Sequence, residues 1–412
     1  MVLPESASTE VTAWLKQNWD PDLSLLAWRR RLFEGRWAAP AWPVEWGGRG
    51  WPDWTEPVVA RAISEFGAAG VPGGAATALA APTILTHGPD PVRERFLAPI
   101  LTGAETWCQL FSEPGAGSDL AGLTTRAERD GDEYVVNGQK VWNTSAHHAD
   151  LGLLVARTDW DAPKHRGLTY FVLPMHQRGV TVRPLRQMNG HASFNEVFLT
   201  DARVPAEFMV GAEGEGWNVA RTTLAHERRF GAIRVAGVPA GGGRTLTEAR
   251  AEAEENFAPY VWYPQRAGRA DLLVARAKAN DVAGDPAVRQ DVARALSIGR
   301  VSAWTAERAR VGRAAGRPPG PEGSIGKLAM SRLARASAAA HSLIGGPAGM
   351  LSGTDAPQDG IVTEVLVSVP AQSIAGGTDE IQHNILGENV LGLPREPSTD
   401  RDVPFRSLPR NL

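Results

Sequence analysis

The sequence predicts an α+β protein in which a helical region, a β region and a second helical region follow one another. Apolar residues recur at helical spacing through about the first hundred residues, alternate with period two from Trp107, and return to helical spacing at Gly216. At 412 residues with 43% hydrophobic content, the chain can bury more than one core. We therefore expect an N-terminal α-helical domain over 1–105, a central β domain over 106–215, a C-terminal four-helix-bundle domain over 216–397 and a polar tail over 398–412.

The N-terminal region has apolar residues at helical spacing in three segments, 13–18, 25–35 and 57–66. Asp90 followed by Pro91 is typical of a helix start, because proline is tolerated in the first turn, where its missing N–H would be unpaired anyway. We therefore expect a further helix over 91–101.

The β region contains several short segments that alternate between apolar and polar residues. Asn137-Gly138 separates two of them and has the composition of a two-residue hairpin turn, so we expect a meander here. Later segments over 153–157, 168–173, 180–185 and 195–199 continue the pattern. Strands of this length and number predict a small β-barrel or sandwich.

The C-terminal region contains five segments with helical periodicity that are long enough for a helical bundle: 217–235, 245–256, 271–282, 286–311 and 322–344.

Composition excludes several classes of protein. A net charge of −3 gives no sign of a nucleic-acid-binding protein. Residues 1–10 lack the basic and apolar regions of a signal peptide, and no apolar run reaches membrane-spanning length, so we expect a cytoplasmic protein without membrane insertion. Cys108 is the single cysteine, and His147-His148 lacks the spacing of a metal site, so we predict no metal.

Two motifs point to a ligand site. The first is a β-like segment that breaks into a glycine-containing loop, Cys108-Gln109-Leu110-Phe111-Ser112-Glu113-Pro114-Gly115-Ala116-Gly117-Ser118-Asp119. Glycines let such a loop approach a ligand and direct N–H groups at an anion, although an ordinary turn is the alternative. The second motif lies near the C-terminus, Ile374-Ala375-Gly376-Gly377-Thr378-Asp379-Glu380-Ile381-Gln382.

Three further segments occur in order with these motifs: Gln139-Lys140-Val141-Trp142-Asn143-Thr144, Gly345-Gly346 and Leu391-Gly392-Leu393-Pro394. Together they resemble the acyl-CoA dehydrogenase flavoproteins, in a bacterial branch, from about Leu25 to about Pro397. The resemblance implies an acyl-CoA dehydrogenase-like fold with a central β-barrel domain between helical domains. It also implies bound FAD, oxidation of an acyl-CoA thioester to the 2,3-enoyl-CoA, and an electron-transfer flavoprotein as electron acceptor.

The resemblance assigns residues to FAD, which would lie between the β domain and the C-terminal bundle. The main chain of four residues would face the isoalloxazine edge: Gln109, Leu110, Phe111 and Ser112. Trp142 and Thr144 would flank the ring, with Thr144 directed towards N5, and Asn143 between them would also bind the cofactor. Four would hold the adenosine diphosphate or cap a helix against the cofactor: Gly345, Gly346, Thr378 and Glu380. Ser118 would reach the pyrophosphate or the thioester arm of the substrate. Core packing of Trp142 and a plain N-cap role for Thr378 remain alternatives.

The reaction needs a carboxylate to remove the substrate α-proton. Many relatives place it immediately before the Gly-Thr of the C-terminal motif, where this chain has Gly376. A minority, including isovaleryl-CoA and long-chain acyl-CoA dehydrogenases, place it on a helix early in the C-terminal domain, and the matching residue is Glu227. The resemblance thus implies that Glu227 is the base, that Arg228 contacts CoA, and that the Gly376 N–H donates to the thioester oxygen. A surface Glu227 paired with Arg228 or Arg229 is the alternative.

The sequence constrains the oligomeric state and the electron acceptor less than the fold. The segment 256–264 lacks the Arg-x-x-Phe-Gly with which relatives hold a neighbour's FAD. The C-terminal helices must bury their apolar faces, and we do not expect a single chain to cover all of the residues on them, which include Leu272, Leu273, Leu296, Ile298 and Val301. We therefore expect a homodimer or homotetramer, with a heteromer as the alternative. Two other functions stay open, a flavin oxidase or monooxygenase of the same fold, and a non-catalytic subunit that completes a partner's FAD site.

Overall fold

The structure is a computed structural model, which describes residues 4–230, 237–314, 317, 320–354, 356–395, 397 and 402–409. The chain divides into two compact units. The first unit comprises Met1–Leu185, Ala192–Pro259 and Ser398–Leu412, and the second comprises Arg186–His191 and Tyr260–Pro397. The first unit therefore contains the N-terminal helices, all of the β-sheet and the first two helices that follow the sheet.

Five α-helices precede the sheet: α1 (Pro4–Asn18), α2 (Leu25–Glu34), α3 (Thr55–Phe66), α4 (Ala81–His87) and α5 (Asp90–Thr102). Helix α2 begins where the Ser24 hydroxyl accepts a hydrogen bond from the Ala27 N–H, which satisfies a donor of the first turn. Trp28 on α2 is fully buried, and its indole N–H donates to the carbonyl of Ala69 at 2.7 Å. This bond satisfies the one polar group of a large core side chain.

Seven strands form one sheet: β1 (Trp107–Leu110), β2 (Arg126–Asp130), β3 (Glu133–Thr144), β4 (Leu151–Arg157), β5 (Leu168–Pro174), β6 (Val180–Leu185) and β7 (Phe194–Pro205). Their order is β1-β4-β2-β3-β7-β6, with β5 paired to β4. The β1–β4 and β2–β4 pairs are parallel, and the remaining pairs are antiparallel. A sheet between helical regions confirms the predicted α+β fold class.

The predicted hairpin turn at Asn137-Gly138 is wrong, because β3 runs through both residues. The register of β3 against β7 shifts here, and a Cβ at Gly138 would lie 2.4 Å from the Thr125 Oγ1. Glycine is thus required for close packing in a β-bulge. The Asn137 side chain exchanges hydrogen bonds with Asp201 on β7. The chain instead reverses at Gly131, which has a φ of 66°.

Helices α6 (Gly216–Phe230) and α7 (Arg244–Phe257) complete the helical part of the first unit. Every residue of β4 is buried, and α6 packs against the neighbouring strand β5. Thr223 on α6 is fully buried, and its hydroxyl lies 3.0 Å from the Tyr170 Oη and 2.9 Å from the Thr83 Oγ1. These polar contacts fix α6 relative to β5 and α4.

A buried ion pair joins the loop after β1 to strand β3. Lys140 is fully buried, Glu113 is 7% exposed, and the Lys140 Nζ lies 2.9 Å from the Glu113 Oε1. The same Nζ donates to the carbonyls of Phe111 and Val155. Glu113 also accepts the N–H groups of Thr124 and Thr125, at 2.7 and 2.8 Å. Burial by itself would raise the pKa of Glu113, but Lys140 and these donors hold that pKa at about 2.

The second unit is helical. Its elements are α8 (Tyr263–Arg266), α9 (Leu273–Ala279), α10 (Pro286–Ala314), α11 (Glu322–Gly345), α12 (Ile361–Ser368), α13 (Pro370–Ile374) and α14 (Asp379–Asn389). The long helices α10 and α11 pack against each other, and α14 packs on α11. Lys327 on α11 donates to the buried Asp379 at 2.7 Å, which fixes the start of α14. No helix within the described ranges is both long and apolar enough to cross a membrane.

The segment 402–409 belongs to the first unit. Phe405 is only 3% exposed, and its N–H donates to the carbonyl of Ala162 at 3.1 Å. The predicted polar tail therefore contains a buried aromatic residue, which its composition did not indicate.

We predict that Lys140→Met destabilises the protein strongly, because it leaves the Glu113 carboxylate buried without a cation and removes the donor to two carbonyls. The expected loss is about 3–5 kcal/mol in the free energy of unfolding. The control is Arg203→Met, which removes an ion pair with Asp130 whose side chains are 46% and 61% exposed, and which should cost far less because solvent screens exposed charges. Urea unfolding followed by far-UV circular dichroism measures both. Equal losses would contradict a special role for the buried pair.

Acid should remove the contribution of Glu113. The pKa of this carboxyl is lowered from its usual 4.5 to about 2, so its charge stabilises the fold above pH 4.5, and that contribution is lost as pH falls towards 2. Glu113→Gln should therefore be less stable than the parent at pH 7, and the difference should shrink between pH 4.5 and pH 3. Unfolding midpoints at four pH values test this, and a difference that is independent of pH would contradict it.

Candidate active site

The structure brings Gln109 and Glu227 together. Gln109 lies on β1 and Glu227 on α6, and the Gln109 Nε2 donates to the Glu227 Oε2 at 3.2 Å. Both side chains are half-buried. Glu227 follows the anchored Thr223 by four residues, so both lie on the same face of α6. The contacts that fix α6 therefore also direct the Glu227 carboxylate towards β1.

Strand β3 is distorted at the segment predicted to flank a flavin. Trp142 has a φ of 63°, in the left-handed region that bulky residues rarely adopt. The register against β7 shifts between Lys140 and Asn143, which marks a bulge. The Trp142 ring is 57% exposed and meets Phe194 edge-on at 5.8 Å. The core-packing alternative for Trp142 is therefore wrong, and the strained backbone holds a flat apolar ring at the surface.

Asn143 ties this bulge to β1. Its side-chain Nδ2 donates to the main-chain carbonyl of Gln109 at 2.7 Å. Its main-chain carbonyl accepts a hydrogen bond from the Asn195 Nδ2 at 2.9 Å. The side chain is 2% exposed, yet its Oδ1 accepts no hydrogen bond from the part of the chain that the structure describes. Thr144 follows at the end of β3 and is half-buried. A buried acceptor without a donor beside an exposed aromatic ring is typical of a ligand site.

The glycine loop presents Ser118 at its exposed tip. Leu110 and Phe111 are buried, so only their main chain is placed to face a ligand. The Val141 N–H donates to the carbonyl of Ser112 at 2.9 Å, which holds the start of the loop against the β3 bulge. The predicted cofactor residues of the first unit thus lie on adjacent segments: β1, the loop after it and the end of β3.

In the second unit, the predicted residues lie at helix ends. Gly345 is the last residue of α11, and Gly346 has a φ of 51°. Thr378 is the N-cap of α14, where its hydroxyl accepts the Ile381 N–H at 3.2 Å, and Glu380 is exposed in the first turn. This N-cap confirms the predicted helix start, while the cofactor roles of these residues stay predictions. Gly376 has a φ of 68° and open space where a Cβ would lie.

Two assigned features remain untested by the geometry. The side chains of Arg228 and Arg229 lie outside the described residues, so the contact of Arg228 with CoA stays a prediction. Within the residues that are described, no three His, Cys, Asp or Glu side chains form a group that could hold a metal ion. His147 instead lies 3.2 Å from the Asn195 Nδ2, and His148 lies 3.5 Å from Glu255.

Sequence reasoning gave no role to Glu113, Lys140 or Asn195, although all three support the site. A signal was present for Lys140, because the apolar Val141 and Trp142 follow it in a strand, and a lysine needs a partner when such a segment is buried. No comparable signal marked Asn195, whose contact with Asn143 joins residues 52 positions apart.

Models of three domains of one family match the chain. The acyl-CoA dehydrogenase N-terminal domain matches residues 5–104, the middle domain matches 108–202, and the C-terminal domain matches 267–391. The matches cover most of the chain, in the order N-terminal, middle and C-terminal domain.

Individual relatives agree. The chain is 36% identical to the acyl-CoA dehydrogenase IpdE1 of Mycobacterium tuberculosis, over 90% of this chain and 88% of that protein. It is 32% identical to IpdE1 of Mycolicibacterium smegmatis, over 96% and 99%. Similar solved structures include the Tcur3481-Tcur3483 steroid ACAD, with a TM-score of 0.64, 24% identity and coverage of 95% and 98%. The ChsE4-ChsE5 complex of Mycobacterium tuberculosis gives a TM-score of 0.61, 25% identity and the same coverage. The domain matches and these identities confirm the resemblance seen in the motifs: the chain belongs to the acyl-CoA dehydrogenase family.

Proposed function

We propose that this chain oxidises an acyl-CoA thioester to the 2,3-enoyl-CoA, with Glu227 as the base that removes the α-proton. The observation that carries the proposal is the 3.2 Å contact between the Gln109 Nε2 and the Glu227 Oε2. This contact puts the carboxylate beside β1, the strand that leads into the glycine loop of the first motif. The position before Gly377-Thr378, where many relatives carry the base, is Gly376 and offers no carboxylate.

The surroundings of Glu227 suit a base. The side-chain amide of Gln109, a neutral donor, helps to orient the Glu227 carboxylate, the group that would accept the proton. Helix α6 is anchored through Thr223, which limits the movement of the carboxylate. A positioned base reacts faster than a mobile one, because less orientational freedom is lost on the way to the transition state.

The residues of the first unit fit FAD on two observations, the exposed Trp142 ring on its strained bulge and the unpaired Asn143 Oδ1. We assign the ring system to the main chain of 109–112 and to Trp142, Asn143 and Thr144, and the pyrophosphate or thioester arm to Ser118. Gly345, Gly346, Thr378 and Glu380 are assigned to the remainder of the cofactor. Bound FAD would supply an acceptor, at N5, for the hydride that leaves the substrate β-carbon.

The enolate needs hydrogen-bond donors at the thioester oxygen. We assign one of these to the backbone N–H of Gly376, because its conformation is fixed by its neighbour: the Gln382 Nε2 donates to the Gly376 carbonyl at 3.0 Å. A donor held in place before the reaction stabilises negative charge at little cost in reorganisation. We further assign Arg228 to the CoA portion of the substrate.

We propose an electron-transfer flavoprotein as the electron acceptor. The enzyme reduced by acyl-CoA should then reoxidise slowly in air and rapidly when that flavoprotein is added. Rapid reoxidation by O₂ alone would instead support a flavin oxidase or monooxygenase.

The second unit supports an oligomer. Four large apolar residues on α10 are 40–69% exposed: Leu296, Val301, Trp304 and Val311. At about 100° per residue they lie within one arc of about 140° around the helix. Leu273, by contrast, is fully buried within the unit. We propose that the α10 arc contacts a second copy in a dimer or tetramer. The ChsE4-ChsE5 structure is titled a complex of two chains, and a heteromer is thus the alternative.

Glu227→Gln should retain FAD and acyl-CoA binding and reduce the rate of flavin reduction by at least about 10²–10⁴-fold, because the amide cannot accept the α-proton. Anaerobic stopped-flow absorbance at the visible flavin band measures this rate. The matched control is Glu215→Gln, an exposed glutamate just before the same helix, which should react at the parent rate. Parent-like reduction in Glu227→Gln would show that another group is the base.

Trp304→Glu should dissociate the oligomer into smaller species, because it places a charge in the centre of the exposed apolar arc. Light scattering coupled to size-exclusion chromatography measures the mass. Ala306→Glu is the control, since residue 306 is exposed and lies about 200° around α10 from Trp304. A parent protein that is already monomeric would contradict the interface. A parent that gains flavin only on co-expression with a second chain would favour the heteromer.

A further inference from the structure

The segment 402–409, called here the C-terminal arm, packs against the residues that follow β4. The N–H groups of Phe405 and Arg406 donate to the carbonyls of Ala162 and Trp160, at 3.1 and 3.0 Å. Arg406 also forms an exposed ion pair with Asp161. These contacts fix the arm at one place on the first unit and direct the Phe405 side chain inward, where it is 3% exposed.

Phe405 covers a buried arginine. The Arg157 Cζ lies 3.4 Å from the centroid of the Phe405 ring, and Arg157 itself is fully buried. A guanidinium stacked on an aromatic face is stabilised by the ring's electrons, and more strongly so without water. The ring also shields the hydrogen bonds of Arg157 from solvent. These bonds are therefore stronger, because hydrogen bonds gain strength in a medium of low dielectric constant.

Arg157 in turn holds the second half of the glycine loop. Its Nη2 donates to the carbonyl of Ala121 at 2.7 Å, and its Nε donates to that of Leu123 at 3.2 Å. Its Nη1 donates to the carbonyl of Lys164 at 3.1 Å, and the Lys164 ammonium lies 2.6 Å from Asp119. Asp119 directly follows Ser118. A continuous set of contacts thus connects the arm to the tip of the loop.

We infer that the C-terminal arm positions the glycine loop, and that Phe405 is a positioning residue that acts through Arg157 on Ser118. This inference rests on the proposed function, in which Ser118 reaches the FAD pyrophosphate or the thioester arm. The Glu113–Lys140 pair fixes the base of the loop, whereas the arm fixes its return segment over 119–123. Glu227 and Gln109 lie on α6 and β1, outside the return segment that Arg157 holds.

Because separate contacts hold the two halves of the loop, loss of the Phe405 ring should affect only one half. In Phe405→Ala, the return segment should move more freely, while the start of the loop, which the Glu113–Lys140 pair holds, remains in place. The dissociation constant of FAD and the KM for acyl-CoA should each rise about tenfold, which corresponds to about 1.4 kcal/mol. The limiting rate of flavin reduction should stay within about twofold of the parent, because the proposed catalytic carboxylate of Glu227 and its amide partner Gln109 are unchanged.

The experiment combines kinetics with hydrogen–deuterium exchange on the full chain. Exchange of the amides of residues 119–123 should become about tenfold faster in Phe405→Ala, which corresponds to the same change in free energy. Phe405→Tyr keeps the ring over Arg157 and should restore the parent values. Arg406→Ala removes only the exposed ion pair and should behave like the parent. Phe405→Leu, which fills most of the space without an aromatic face, replaces Phe405→Ala if the latter does not fold.

Parent-like exchange over 119–123 in both Phe405→Ala and Phe405→Leu would overturn the inference. So would an equal increase in exchange throughout the sheet, since that would indicate a general contribution to stability. Failure of the proposed function has a different result: the parent itself would show no reduction of flavin by acyl-CoA, while the exchange experiment would still report whether the arm holds the loop.

Discussion

The buried ion pair between Lys140 and Glu113 is the interaction on which the site depends. Two charges with side chains at most 6% exposed are costly to bury, and the cost is offset only because each makes further hydrogen bonds. Those bonds reach Phe111 and Val155 on one side and Thr124 and Thr125 on the other. One pair therefore connects the glycine loop, which follows β1, with strands β3 and β4.

The order of helices, strands and helices could be predicted from the sequence, because it follows from the periodicity of apolar residues within each segment. Thr378 as a helix start could also be predicted, since an N-cap depends on a few adjacent residues. The conformation at Asn137-Gly138 could not be predicted from the local sequence. Its composition favours a turn, but Thr125 on the neighbouring chain segment requires a glycine within a strand that continues. Tertiary packing here outweighs the local preference.

Much of the candidate site was predicted from ordered motifs, and the structure adds how it is held. Gln109 meets Glu227 across 118 residues, and Phe405 covers Arg157 from the far end of the chain. Neither contact has a local signal, because each partner is an ordinary residue in its own segment. The left-handed backbone of Trp142 likewise has no signal in the sequence, and it holds the ring at the surface.

The central claim is that this chain binds flavin and that an acyl-CoA reduces it. Anaerobic titration of the purified protein with a panel of acyl-CoAs, followed by visible absorbance, tests this most directly. The account predicts that at least one acyl-CoA bleaches the flavin band at one equivalent per site. A protein that carries stoichiometric flavin and keeps its absorbance with every acyl-CoA, while dithionite bleaches it, would contradict the account.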